Sequence, residues 1–181
     1  MDNINTLLVA FMFITILTLG IAGVLAELAH VVGERKRRDG LLVGWALLLL
    51  FAYFTLFWHT ADIALLEEWD FGLFLFAETG PVLLLFATQI MLGALRVEDE
   101  GERDSTVVQN RFFMIFGLVQ VWSISAGFIL GVGFTLGSAL NAIVLLACIV
   151  LASSTSRRFH VPGLAVVWIA YIASAVLEAR A

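Results

Sequence analysis

Cysteine is almost missing from this sequence: Cys148 stands alone inside an apolar segment, so neither a disulfide framework nor a thiolate metal cluster is available. Lysine is as scarce, since only Lys36 among the ten basic residues is not arginine. Charged residues make up 14% of the chain, and no basic stripe interleaved with aromatics occurs, which removes support for nucleic-acid binding. HExxH, paired CxxC, P-loop, dinucleotide-binding glycine and GxSxG patterns are all absent, so common metalloprotease, thiol-redox, nucleotide and serine-hydrolase chemistries lack their parts. Of the three histidines, His30 and His59 both fall near the C-terminal ends of successive apolar segments, which puts them at opposite membrane faces if the segments alternate in direction, so they cannot ligate one haem iron between them. No cofactor is favoured.

What is abundant is oil. Apolar residues make up 61% of the 181, against about 45–50% in an ordinary soluble domain, and the mean hydropathy is +1.01. The useful count is therefore of segments able to cross a bilayer, which takes roughly 20 residues each. Apolar runs fall at about 6–29, 41–64, 71–95, 112–132, 137–153 and 161–178. These define an all-α polytopic membrane protein of six transmembrane helices in a single bundle. The first run follows MDNINT with no Lys or Arg before it, so it reads as a retained helix and not a cleaved signal.

If the six helices alternate in direction, the connections at 34–40, 96–111 and 155–160 share one side. They hold nine of the ten basic residues, Arg180 being the exception. The positive-inside rule makes that side cytoplasmic and puts both termini outside, an N-out/C-out layout in the cell (plasma) membrane. Trp45 and Trp58 flank the second segment and Trp69 lies in an outer loop, positions expected of interfacial anchors.

Against this apolar background the polar groups inside the segments carry the functional reading. Glu78 lies about 7 Å outward of the middle of the third segment, where a charge costs about 2.5–3.5 kcal/mol to insert and usually faces a bundle interior or water-filled path. Gly80 and Pro81 follow within the same turn; proline removes the donor to the carbonyl of Ala77, so a kink or interruption is expected there. Such breaks at membrane depth often form ion or substrate sites.

Thr55, His59 and Asp62 follow i, i+4, i+7 and share one face near the outer end of the second segment. An imidazole between carboxylates can hold or pass a proton. Gln89 is eleven residues beyond Glu78, close to three turns, and Gln120 of the fourth segment reaches a comparable depth. Asp62, His59, Glu78, Gln89 and Gln120 thus sketch a proton or solute pathway, with Asn141, Tyr171 and Ser174 read as interhelical hydrogen-bonding residues. His59, Asp62 and Glu78 also form a sensible nitrogen-and-oxygen metal set. Glu27 and His30 read as an interfacial pair at the inner end of the first segment.

Three function classes are consistent with these features. A small transporter or channel for protons, cations or a small solute would use Glu78 with Asp62 and His59. An integral subunit of a larger membrane complex would use its polar groups for contacts, and a metal-dependent membrane enzyme would use the metal set. The expected surroundings are the lipid bilayer and either further copies, through the small-residue face at Gly127 and Gly131, or other membrane subunits.

Overall fold

A computed structural model describes residues 2–33, 40–59, 69–97, 105–129, 133–154 and 156–178. The elements are α1 (Asp2–Gly33), α2 (Gly40–Trp58), α3 (Phe71–Val97), α4 (Ser105–Ile129), α5 (Leu136–Ser153) and α6 (Arg157–Glu178). Among the described residues all regular structure is helical, and six helices are long and apolar enough to cross a membrane. The helical design follows from the solvent: hydrocarbon offers the backbone no hydrogen bonds, and an α-helix closes all of them within one segment.

Local chemistry sets the helix starts. Asp70 caps α3, its Oδ1 accepting the Leu73 N–H at 2.7 Å. Thr135 caps α5 through a reciprocal pair with Ser138, so two backbone donors at that end are satisfied by side chains. Between α4 and α5 the Gly133 N–H donates to the Gly127 carbonyl at 2.8 Å, with Gly133 at φ 77°, a conformation glycine enters without steric cost.

The helices form a closed ring in the order α1, α2, α6, α5, α4, α3, and α2 also touches α3 across it. Among the described residues α2 and α4 make no close backbone approach. Tyr53 locks the α1–α2–α3 side. Its ring presses on Gly20 of α1, and its hydroxyl lies 2.9 Å from the Thr88 hydroxyl of α3. Thr88 already donates to the Leu84 carbonyl at 2.8 Å, so Tyr53 is the donor to Thr88.

Outside, the bundle is as apolar as inside: Leu7, Phe11 and Ile169 are each about 70% exposed, with many large apolar side chains beside them. Water does not tolerate apolar surface of that extent, whereas hydrocarbon does.

Several sequence expectations change here. Trp45 is no interfacial anchor; it is 1% exposed and sits edge-on to Phe112 and Phe113, with ring centroids 5.7 and 5.0 Å away. Glu27 is buried too, not solvated at an interface. Gly127 is occupied within the chain by the α4–α5 contact and is not a free oligomer face, while Gly131 lies outside the described residues. The last helix begins at Arg157 and carries Pro162 in its interior, where the sequence suggested a start at 161.

Gly20→Ala is expected to destabilise the protein by about 1–3 kcal/mol, because the added methyl overpacks the buried Tyr53 ring. Gly93→Ala meets nothing within 4 Å and is expected to change stability by less than about 1 kcal/mol, in the stabilising direction. Thermal unfolding in detergent compares them; equal midpoints would refute the Tyr53 lock.

Candidate functional site

Because α2 and α4 stand apart, a cavity of about 90 Å³ remains between α2, α4, α5 and α6, with Leu84 of α3 behind it. It lies in the half of the bundle where α2, α4 and α6 end. Thr55 and His59 face it from α2. Gln120, Trp122 and Ser123 face it from α4. Asn141 of α5, with Tyr171 and Ser174 of α6, complete its polar walls.

Gln120 is the deepest polar group, nine residues before the end of α4 and therefore about 14 Å below it. It is 1% exposed. Its amide nitrogen donates to the Tyr171 hydroxyl at 3.1 Å and to the Phe116 carbonyl at 3.4 Å. A carbonyl only accepts, so the atom facing Phe116 is the nitrogen, and the amide oxygen is the group left over. Higher up, Asn141 Nδ2 donates to Ser123 Oγ at 2.9 Å, linking α5 to α4.

Below Gln120 the bundle is closed by rings. Phe116 stacks on Tyr171 at 6.2 Å and on Phe112 at 5.6 Å, and Trp45 and Phe113 continue the cluster to His160. His160 is buried, with Nε2 2.9 Å from the Ser154 carbonyl. The cavity is thus a polar recess above an aromatic floor.

Trp122 forms the wall toward α3. Its Nε1–H donates to the Phe76 carbonyl at 2.7 Å. Gly80 is what lets α3 approach: a methyl there would come within 2.5 Å of the indole ring. Of the kink or interruption expected at Gly80 and Pro81, the interruption does not occur: α3 is helical from Phe71 to Val97 with Pro81 in its interior.

Of the sequence-derived site, the structure brings His59 and Gln120 to one cavity and leaves Glu78 and Gln89 off it. Glu78 is 7% exposed, and both carboxyl oxygens are buried without a hydrogen-bond partner among the described residues. Gln89 is exposed, near Gly23 of α1. Helical periodicity places Glu78 on the same side of α3 as Gln89, toward α1 and away from Trp122. Asp62 lies outside the described residues. Among the described residues no three His, Cys, Asp or Glu side chains group to hold a metal, and His59 and Glu78 of the proposed set do not share the cavity.

The groups underrated by sequence were Thr55, Trp122, Ser123, Asn141, Tyr171 and Ser174. Each was visible as polar or aromatic; what was missing was the rotation that turns them to one point.

The fold and cavity define a class: an all-helical bundle of six helices able to span a membrane, with a polar recess inside it. The chain matches no known protein family, no curated protein and no solved structure.

Replacing Glu78 by leucine is expected to preserve stability or raise it by up to about 1–3 kcal/mol, since it removes a buried polar group that makes no bond. A comparable loss in the unfolding midpoint would show that the carboxyl has a partner holding the fold together.

Proposed function

We propose that this protein is a small membrane transporter or channel, and that a proton, cation or small solute enters through the recess between α2, α4, α5 and α6. One observation carries the reading: a concave site lined by an imidazole, amides and hydroxyls sits inside a bundle whose exterior is apolar. Polar groups in the apolar interior of such a bundle usually mark substrate or ion pathways. His59 stands near the rim and Gln120 at the floor. The aromatic cluster beneath Gln120 is the barrier that a permeating species must pass, in the manner of a hydrophobic constriction. Glu78, on the other side of α3, is assigned a supporting role at most.

Purified protein in liposomes is expected to carry a measurable flux of protons, potassium ions, urea or glycerol. Ser123→Leu, which fills the recess and removes the acceptor of Asn141, is expected to lower that flux at least about tenfold at a stability cost of no more than about 2 kcal/mol. Flux unchanged by Ser123→Leu would place the route elsewhere.

The same reading includes an orientation, N-out and C-out in the cell membrane, supported by the clustering of basic residues at 34–40, 96–111 and 155–160. In a Cys148→Ser background, a cysteine at position 36 is expected to react with a membrane-impermeant maleimide only after the cells are opened, and one at position 69 in intact cells. The reverse pattern would invert the topology.

A second reading, that the chain is an integral subunit of a larger membrane complex, is supported by Gln89. This primary amide is exposed on the outer face of α3, where a bilayer offers it no hydrogen bonds and another helix would. In that case the purified chain carries no flux alone and co-purifies with a partner.

A further inference from the structure

The chemistry left over in the recess narrows what it takes. Both hydrogens of the Gln120 amide are engaged, on Tyr171 and Phe116, so the oxygen of this cavity-lining residue remains as the acceptor. The Tyr171 hydroxyl accepts from Gln120, which leaves its own hydrogen to donate. Acceptor and donor stand side by side at the floor. About 4.5 Å up the helix, three residues on, Ser123 and Asn141 offer a second such pair: the bond between them uses the Asn141 nitrogen and the Ser123 oxygen and leaves over the Asn141 oxygen and the Ser123 hydrogen.

Charge is the other constraint. No Asp, Glu, Lys or Arg is found among the described residues of the lining. A bare ion at the floor would lose its water without gaining a counter-charge, which disfavours its entry. Size is limited as well: a 150 Å³ cavity takes the six carbons of benzene, so one of about 90 Å³ takes roughly four heavy atoms. Ala52, Leu56 and Val119 supply apolar wall between the polar points, which suits a molecule with C–H as well as polar edges.

We infer that the recess binds a small uncharged solute of about four heavy atoms bearing a hydrogen-bond donor and an acceptor side by side, a short amide or a two-carbon diol, held at the floor by the Gln120 oxygen and the Tyr171 hydroxyl. This rests on the permeation reading above and specifies its substrate class.

Stopped-flow light scattering on proteoliposomes tests it, with urea and ethylene glycol, four heavy atoms each, as probes and potassium and proton flux followed in parallel. Urea or ethylene glycol is expected to cross at least about tenfold faster than in protein-free vesicles, with both ions at background. Gln120→Leu is expected to return the rate to background. Tyr171→Phe keeps the ring against Phe116 and removes only the hydroxyl that accepts from Gln120, so a several-fold loss there, with the protein still folded and its unfolding still cooperative, separates recognition from folding. Ion flux without urea or ethylene glycol flux overturns this inference and leaves the permeation reading standing. Absence of every flux overturns both, and urea or ethylene glycol flux indifferent to Gln120→Leu and Tyr171→Phe overturns the assignment of the floor.

Discussion

Hydrocarbon cannot hydrogen-bond, and the rest of this structure follows from that. The backbone answers by being helical in all six spans. The side chains answer one by one. Thr15, Thr18, Thr79 and Ser125 return their hydroxyl hydrogens to carbonyls one turn back on their own helices. Tyr53 finds Thr88, Trp122 finds Phe76, and Asn141 finds Ser123, each across a helix boundary. These interhelical bonds are worth only about 0.6–2 kcal/mol each, but they fix which helices are neighbours.

Among the described residues, Trp45 and Glu78 show two different ways in which buried groups depart from the rule. The Trp45 indole N–H has no oxygen partner, yet it lies within a cluster of edge-on phenyl rings. A ring face is a weak acceptor, so the site is imperfect and not empty of compensation. Glu78 has nothing comparable: neither carboxyl oxygen meets a donor among the described residues. A group that expensive in an apolar bundle is a departure from local consistency of the kind expected at functional or strained positions.

How far the sequence could be read divides along the same line. Six helices able to cross a membrane were legible because a bilayer demands long apolar runs and tolerates few substitutes, and the position of each polar residue along its helix followed from a fixed rise per residue. Rotation about the helix axis was not legible. Glu78 and His59 share a depth but look in different directions, because α3 turns Gly80 and not Glu78 toward the Trp122 wall. Trp45 misled for a related reason. A tryptophan near a span end resembles an anchor in any one-dimensional reading, and only the arrival of Phe112 and Phe113 from α4 converts it into core. Proline at 81 suggested a broken helix, whereas one missing backbone bond is small against the packing that keeps α3 whole.

That unbroken α3 makes the two polar features of the bundle parts of one object. Its Gly80 side touches the Trp122 ring that walls the recess, and the Phe76 carbonyl holds that ring by a 2.7 Å bond. Two residues further on, Glu78 projects to the opposite side. The Ala77 carbonyl between them has no helical donor, since Pro81 stands where that donor would be. A turn missing one bond is softer than its neighbours, and here it carries the wall contact on one side and an unpartnered carboxyl on the other. Any displacement of the Trp122 wall would therefore not be local to the recess: it would pull on the Phe76 carbonyl and thereby on the same turn that carries Glu78.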